Sequence, residues 1–476
     1  MSNQLPADCL SEIFNYLDGN KAALHSCLLV NRLWCEVSVR VLWRNIWDLK
    51  RNVSPSCRFG ISSQILNTLI NCLSNESKDL LYKNGAIPTP TSKSPLFNYA
   101  SFCKVLSILD INLILDDVFY DKKYFKSRKS ITYTLLNNNN MIAQEILKMF
   151  MKQSTLKKLT YYSDFYDRNI PDFINFFGAE DCLKNLSELS CGSNVHSEFF
   201  YQLSKICHHI QSLNITFEET VSDGLKDLIF SQIGLKSLTL IQDHDDCSVI
   251  VPSLTNHSNT ITKLVVHGVA SYEPLSFIAG FINLQELIIS FDYRDDFEEI
   301  QNIKFTKLQI LKFVNGCPKA EFLIKFLENN GKILKELYID KHNNLLNLAI
   351  SKFCPNLKSL YTRFLKNEIR TLKIILISCQ QLESIKIKSG KIYLKGNEVL
   401  ETVAKFSPKN FHELKLRNYV RLESKDLESF FISWKNRKVQ KSLSFIINNN
   451  NDENNGNIKI IEKYKKLGVL KKFEFE

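Results

Sequence analysis

The sequence lacks the short motifs that mark the common nucleotide and hydrolase sites. It has no GxxxxGK[ST] or GxGxxG loop to cradle a phosphate, and no GxSxG or HExxH. Thirteen cysteines are present, but no two form a CxxC pair. Structural zinc sites need clustered Cys and His ligands, so these spacings argue against one. We therefore predict a protein with no metal and no cofactor that is not itself an enzyme.

Long hydrophobic runs and a leader-like beginning are also missing. Leu5-Pro6 and Asp8 follow Met1 without a basic and then apolar stretch, and the most apolar run is interrupted by Lys373. That run is far shorter than the roughly 20 residues of a membrane-spanning helix. We expect no membrane association, reduced thiols, and a cytoplasmic or nuclear location, or both.

Charge is distributed unevenly along the chain. Residues 301–476 hold 34 Lys and Arg against 17 Asp and Glu, a net charge of +17. Because the whole chain carries +11, the first 300 residues carry −6. Residues 216–300 alone hold 4 basic and 14 acidic side chains. Such segregation bears on the choice of partners rather than on the fold.

Apolar periodicity divides the chain of 476 residues into three predicted parts. Residues 1–48 are predicted to form three short helices with more large apolar groups than so small a module can bury, which indicates a partner site. Residues 49–152 are predicted to be a helical linker region, with a helix at 102–115 and a polar loop at 137–140. The third part, residues 153–476, contains a repeat.

The repeat has the pattern apolar-x-x-apolar-x-apolar, whose last three positions alternate as a β-strand does. Copies follow one another at intervals of 23 to 30 residues, and several pairs are separated by a helical pattern. A strand and a helix in each unit of this length indicate a leucine-rich repeat solenoid, curved, with a parallel sheet inside and helices outside. The copies begin at Leu156, Leu186, Ile210, Leu235, Ile261, Leu284, Leu308, Leu334, Leu357, Leu382, Phe411, Gln440 and Leu470.

Two features of the repeats have predicted roles. Three cysteines precede the first apolar residue of a copy by three positions and are predicted to be buried packing groups: Cys207, Cys354 and Cys379. Alternate strand positions face opposite ways, so the positions between the buried ones should line the concave face. In the C-terminal half these positions form a basic and aromatic ladder of Lys312, Tyr338, Tyr361, Arg363, Lys386, Lys388, Lys415 and Arg417.

The ladder has two interpretations. It is either a solvated lysine-rich surface that aids solubility, or a site for an acidic or phosphorylated segment of a partner protein. Nucleic acid would meet the same charges, but the acidic block at 216–300 and the lack of a basic groove motif argue against it.

The first residues closely resemble an F-box. The motif is carried by Leu5-Pro6, Leu10, Ile13-Phe14, Leu17, Leu24, Cys27, Leu29-Val30, Asn31-Arg32, Trp34 and Leu42-Trp43. Asn31 departs from the pattern, because many members have cysteine there. The repeats are similar to the leucine-rich arrays that F-box proteins often carry, and the whole resembles the fungal F-box/leucine-rich repeat families.

This resemblance implies an α/β protein that acts as a substrate-recognition subunit of an SCF-type cullin-RING ubiquitin ligase. The F-box would dock on a Skp-type adaptor, itself bound to a cullin scaffold, and the repeats would capture a protein substrate. Adaptor contacts would come from Leu5, Pro6, Leu10, Ile13 and Leu17, while Trp34, Leu42 and Trp43 would hold the helices together and complete the surface. The alternatives are an adaptor-bound scaffold outside any ligase and, third, a nucleic-acid-associated repeat protein.

Overall fold

The computed structural model describes residues 5–50, 53–88, 95–119, 133–162, 172–218, 220–242, 247–269, 275–291, 297–388, 392–417, 422–437, 441–447 and 455–475. The chain forms two compact units, Met1–Leu235 and Lys236–Glu476. No helix within these ranges is long and apolar enough to cross a membrane.

The first unit begins with helices and then adds strands. Its helices are α1 (Ala7–Asn15), α2 (Lys21–Cys27), α3 (Arg32–Leu42), α4 (Pro55–Cys72), α5 (Asn75–Lys83), α6 (Tyr99–Phe102), α7 (Ile108–Phe119), α8 (Tyr133–Gln153), α9 (Ala179–Leu183), α10 (Ser197–Ile206) and α11 (Asp223–Phe230). Its strands are β1 (Val105–Ser107), β2 (Lys158–Tyr161), β3 (Glu188–Gly192) and β4 (Ser212–Phe217). They pair in parallel and in chain order.

Within the residues that the structure describes, the second unit has ten strands. They are β5 (Ser237–Gln242), β6 (Lys263–Val269), β7 (Glu286–Phe291), β8 (Ile310–Val314), β9 (Glu336–His342), β10 (Ser359–Arg363), β11 (Ser384–Lys388), β12 (Glu413–Arg417), β13 (Leu443–Ile447) and β14 (Leu470–Phe475). Its helices are α12 (Val251–Leu254), α13 (Ala320–Asn330), α14 (Asn344–Phe353), α15 (Ile369–Ser378), α16 (Gly396–Phe406), α17 (Ser424–Lys435) and α18 (Asn455–Lys466). Every neighbouring pair of strands is parallel.

The leucine-rich repeat prediction is confirmed. Each of the thirteen copies of the motif forms one strand, β2 to β14, and helices connect many of them. In β2 to β13 the second and third positions of the motif point to the same side of the sheet and are buried, as Leu287 and Ile289 of β7 show with 0% exposure each. Side chains on the other side are mostly half-buried. The repeated apolar pattern thus builds one continuous inner layer in each unit.

The predicted packing role of the three cysteines is also confirmed. Cys207, Cys354 and Cys379 are all fully buried. The thiol of Cys379 donates to the carbonyl oxygen of Cys354, one repeat earlier, across 3.4 Å. Burial raises the pKa of the Cys379 thiol to about 12, so it stays protonated and acts as a small packing group with a weak donor.

Two local predictions were wrong. Residues 105–107 form strand β1 instead of part of a helix, because their backbone pairs with β2 and Leu106 is completely buried. Residues 137–140 lie inside α8 rather than in a polar loop. There the apolar face formed by Ile142 and Ile146, exposed by 0% and 1%, packs in the core, and this packing outweighs the weak helix propensity of the asparagines.

The last two copies of the motif differ from the others. Leu443 pairs with Leu470 and Phe445 with Phe473, so the register shifts by one residue between these pairs. The motif of the last copy is therefore displaced relative to its neighbour, although its strand was predicted correctly. Helix α18, between these strands, was not predicted, and the asparagine-rich tract before it at 448–454 lies outside the described residues.

The N-terminal module, helices α1 to α3, is joined firmly to the first repeats. The chain leaves α3 through a 3₁₀ helix, Trp43–Lys50. The indole nitrogen of Trp47 donates to the carbonyl oxygen of Val105 in β1 at 2.8 Å, and Trp47 is 1% exposed. The Trp43 ring packs against that of Tyr99, with 4.5 Å between centroids. The module and the start of the sheet therefore share one core.

Candidate functional sites

The first candidate site is the surface of the N-terminal module. Side-chain caps fix two of its helices, since the Asn20 side chain accepts from the Ala23 amide at 3.0 Å and that of Asn31 from the Trp34 amide at 2.9 Å. Asn31 thus has a structural function as the N-cap of α3. The rings of Phe14 and Trp34 pack edge to face, with their centroids 5.2 Å apart.

The predicted contact residues of this module separate into exposed and buried groups. Leu5 and Ile13 are exposed by 50% and 47%, Pro6 is exposed and Leu17 is half-buried. Leu10 is only 1% exposed, so its predicted place in a contact surface is corrected. One turn of helix separates Leu10 from Phe14, and this spacing puts both on the buried face of α1.

The residues predicted to hold the module together lie in or near its core. Trp34 is half-buried, while Leu42 and Trp43 are exposed by 7% and 8%. Three large exposed side chains were absent from the predicted contact set: Tyr16, Leu29 and Val30, at 90%, 79% and 55%. Leu29 and Val30 belong to the F-box pattern, so the motif itself already pointed to them.

The second candidate site lies in the second unit, on the side of the sheet away from the buried leucines. We call this side the open face. Its central row follows from the strand register, which aligns Lys312, Tyr338, Tyr361, Lys386 and Lys415 on β8 to β12. A second row on β10 to β12 aligns Arg363, Lys388 and Arg417. The structure therefore brings all eight predicted ladder residues together on one face.

Tyr361 differs from the expectation, because it is buried rather than exposed. Its ring centroid lies 4.2 Å from that of Tyr338, and the ammonium of Lys386 lies 5.6 Å from its centre. These neighbours reduce its exposure to 5%. Tyr361 thus forms the floor of the ladder, and a partner would meet Tyr338 and the basic side chains first. A hollow of about 150 Å³ lies here, lined in part by Lys312, Tyr338, Tyr361, Lys386 and Lys415.

Carboxylates neutralise part of the ladder. Lys312 pairs with Glu336 at 3.1 Å and Lys415 with Glu413 at 3.2 Å. Arg363 donates to Asp340 at 2.5 Å. The charge presented by the face is therefore smaller than the number of its lysines and arginines suggests.

Asp340 organises this part of the site. It accepts from the hydroxyl of Tyr361 at 2.6 Å as well as from Arg363, whose Nη1 also donates to the hydroxyl of Tyr393 at 3.3 Å. Burial by itself raises the pKa of Asp340, but the guanidinium and the phenol together hold that pKa below its usual value. Burial and the bond to Asp340 raise the pKa of Tyr361, so its hydroxyl remains a donor.

Asp340 was missing from the predicted site, and the signal to find it was present. It stands two positions after Tyr338 on β9, and strand alternation therefore places it on the same face. A neighbouring pair, His342 with Glu368 at 2.7 Å, was also not predicted, because α15 begins after Glu368 and no strand pattern includes it. In the part of the chain that the structure describes, no group of three or more His, Cys, Asp or Glu side chains could hold a metal ion.

Comparison with protein families decides the nature of the N-terminal module. Residues 2–48 match the family model described as F-box-like. The chain carries an F-box-like domain followed by leucine-rich repeats. The F-box-like domain is the module of α1 to α3 together with the start of the 3₁₀ helix. No curated protein matches the sequence.

Solved structures give weaker similarities. A chain from the yeast Rad7 and Elc1 complex is 13% identical, with 94% of this chain and 93% of that one covered and a TM-score of 0.39. The leucine-rich repeat protein LegL7 from Legionella pneumophila is 11% identical over 67% of this chain and 94% of its own, with a TM-score of 0.35. The protein LIC12759 from Leptospira interrogans is 14% identical over 74% and 94%, with a TM-score of 0.29. TM-scores this low carry no argument about function.

Proposed function

We propose that this chain is the substrate-recognition subunit of an SCF-type ubiquitin ligase. Its F-box-like domain would dock on a Skp-type adaptor bound to a cullin, and its open face would hold a protein substrate. The match of residues 2–48 to the F-box-like family supports the proposal most directly. The chain would take no chemical part in ubiquitin transfer. It would raise the concentration of substrate near the subunits that do.

The exposed apolar side chains of the F-box-like domain are consistent with adaptor binding. Leu5 and Ile13 leave about half of their surface in solvent, whereas Leu10 and Phe14 of the same module are buried in its core. The exposed pair is therefore not needed to fill that core and is accessible to a partner. Burying such side chains under a partner contributes about 1 to 2 kcal/mol each, at roughly 25 cal/mol per Å² of apolar surface. A few anchors of this kind carry most of the binding energy of an interface.

A pull-down with a matched control tests the proposal. Ile13→Asp should reduce recovery of the adaptor at least tenfold, since an aspartate buried at the interface loses its hydration. Ile432→Asp is the control, because Ile432 of α17 is also 47% exposed but lies in the repeats. It should leave adaptor recovery unchanged.

The same experiment separates the ligase from a scaffold. Recovery of the adaptor together with cullin supports the ligase, whereas recovery of the adaptor without cullin indicates an adaptor-bound scaffold. If the wild-type chain recovers no adaptor, or if the two variants behave alike, the proposal is wrong. A band shift with RNA or DNA that weakens steeply with salt would instead favour a nucleic-acid-associated protein.

A further inference from the structure

A second hollow lies at the edge of the sheet where β8 to β10 begin. Its volume is about 500 Å³, within the usual range of ligand sites, and every residue that lines it precedes one of the strands β7 to β11. We call it the edge hollow. Among the described residues that line it, four carry side-chain amides, none carries a carboxylate, and four are lysines: Lys307, Lys332, Lys335 and Lys358. The charged side chains that line the edge hollow are therefore all positive.

Lys335 and Lys358 are neighbours but extend in opposite directions. The backbone amide of Lys358 donates to the carbonyl oxygen of Lys335 at 2.7 Å. The ammonium of Lys335 donates to the side-chain oxygen of Gln309, before β8, at 2.7 Å. That of Lys358 donates to Glu383, before β11, at 3.0 Å. Repulsion between like charges on neighbouring strands favours this divergence. Of the two, Lys358 is paired with a carboxylate and Lys335 retains its positive charge.

The other two lysines of the edge hollow also retain their charge. Lys307 and Lys332 are exposed, and within the ranges that the structure describes neither pairs with a carboxylate. Two carboxylates that follow lining residues directly in the sequence already have partners at 3.1 Å each, in the pairs Glu286 with Lys263 and Glu336 with Lys312. Three positive charges of the edge hollow therefore have no carboxylate partner in the described part of the chain.

Neutral hydrogen-bonding groups lie beside these cations. The side-chain amide of Asn356 donates to the carbonyl oxygen of Lys332 at 2.8 Å, which connects Asn356 to the 3₁₀ helix Gly331–Ile333. Gln309 holds Lys335 by accepting from its ammonium. An ammonium has three N–H donors, so Lys335 can donate to a ligand while it keeps this bond. The edge hollow thus combines positive charge with hydrogen-bond donors.

A phosphate group matches this combination better than a carboxylate does. At neutral pH it carries a charge of about −1.5 to −2 and three acceptor oxygens, whereas a carboxylate has one charge and two oxygens. Hydrogen bonds from ammonium groups to phosphate are charge-assisted and therefore strong. Single-stranded nucleic acid is bound with the help of aromatic rings that stack on its bases, and none of the described residues that line the edge hollow is aromatic. A phosphate carried by a protein is therefore favoured.

We propose that the edge hollow binds a phosphorylated segment of a partner protein, with the phosphate held by Lys307, Lys332 and Lys335. This deepens the proposed function and rests on it, because the segment would belong to the substrate. Capture of the substrate would then depend on its modification, since an unmodified hydroxyl offers no charge to the three ammonium groups.

Fluorescence anisotropy with labelled peptides and the full-length chain tests this directly. The probe is a short Gly-Ser peptide that contains two phosphoserines, measured at about 0.15 M salt so that long-range attraction is screened. We expect it to bind at least about tenfold more tightly than the same peptide without phosphate. A peptide with Asp in place of each phosphoserine should have an intermediate affinity, because it presents less charge and fewer oxygens.

Charge reversal assigns the binding to the edge hollow. Lys332→Glu with Lys335→Glu should reduce the affinity for the phosphopeptide at least about tenfold. The control is Lys366→Glu with Lys395→Glu, the same charge change on exposed lysines that follow β10 and β11. Because these strands are parallel, the control lysines lie at the opposite edge of the sheet, and the affinity should change less than about twofold. Circular dichroism shows whether each variant remains folded.

A milder variant tests Lys335 without removing it. Gln309→Glu keeps the shape of the side chain and replaces the amide that accepts from the Lys335 ammonium by a carboxylate. It should weaken binding of the phosphopeptide at least about threefold, since one of the three ammonium groups is then paired. Binding of the unphosphorylated peptide should not change.

The outcomes are distinct. The proposal is wrong if the phosphopeptide binds no more tightly than the unphosphorylated peptide, or if the control pair weakens binding as much as Lys332→Glu with Lys335→Glu. It is equally wrong if the Asp peptide or a single-stranded DNA of equal charge binds as tightly as the phosphopeptide, because the edge hollow would then be a general cationic surface. None of these measurements involves the adaptor, so a negative adaptor pull-down with positive phosphopeptide binding refutes the ligase role alone.

Discussion

The two halves of the second unit contain the same repeat but differ in the connections between their strands. From β5 to β8 the strands are connected largely by 3₁₀ helices, at Ser248–Ile250, Thr255–His257, Leu275–Gly280 and Phe297–Ile300. From β9 to β13 the connections contain α-helices of 10 to 12 residues. The inner layer is alike in both, because the motif fixes it. Differences in binding must therefore lie at positions that the motif does not constrain.

The largest expected effect tests whether the inner layer is indeed alike. Leu287→Ala in β7 and Leu414→Ala in β12 both truncate side chains with 0% exposure, and each should lower the free energy of unfolding by about 2 to 5 kcal/mol. Denaturant titration followed by circular dichroism measures both. Ile288→Ala, on the open face, is the control and should cost less than about 1.5 kcal/mol. A small cost for only one of the leucines would show that the halves are packed differently.

A smaller effect is expected for the charge network that Asp340 forms on the open face of β9 and β10. Asp340→Asn keeps the shape of the side chain but weakens its bonds to Tyr361 and Arg363. The side chain of Asp340 is one-third exposed, so solvent screens the pair, and we expect a loss of about 1 kcal/mol at neutral pH. Asp426→Asn, in the first turn of α17, is a control of equal charge change.

The pH dependence of the unfolding free energy is a further test of the role of Asp340. The pKa of Asp340 is lower in the folded protein than in the unfolded chain, so its contribution is complete above the unfolded value and is lost as pH falls through the folded value. The stability difference between the wild type and Asp340→Asn should thus be constant from neutral pH down to about pH 5 and shrink below about pH 4. A difference that grows on acidification would contradict the assignment.

The smallest effect concerns an exposed ion pair between the residues that precede β10 and β11. Lys358 and Glu383 lie 3.0 Å apart with side chains exposed by 49% and 36%. Exposed pairs contribute little after screening and side-chain entropy are included, so Glu383→Gln should change the unfolding free energy by less than about 0.5 kcal/mol. The same denaturant titration checks it. A loss above about 1.5 kcal/mol would mean that this ion pair contributes substantially to the stability of the fold.

Much of the fold was predictable because the repeat is strongly periodic. The strands at all thirteen copies of the motif follow from alternation, and so does the grouping of the eight ladder residues on one face. The short strand β1 was not predictable, since Val105 to Ser107 acquire their conformation only by pairing with β2, about fifty residues later. Local patterns do not contain such long-range pairing.

The candidate site was predictable in position but not in its interactions. Alternation places Tyr361 on the open face, yet its burial depends on Tyr338 and Lys386 from neighbouring strands. At Leu10, by contrast, the sequence already contained the answer. The family pattern suggested a surface contact, but the helical spacing of Leu10 and Phe14 indicates a core residue. Charge is the hardest property to read from sequence, because Asp340 and Glu413 cancel cations that a residue count treats as available.

The bond from Trp47 to Val105 has a mechanical consequence. The tryptophan connects the F-box-like domain directly to the first strand of the sheet. This hydrogen bond restricts rotation of the domain relative to that strand. If the domain is held by an adaptor, the beginning of the repeat array is held at a defined angle to it. Trp47→Phe would remove the hydrogen bond while keeping an aromatic ring there, and would make the connection between the domain and the first strand less rigid.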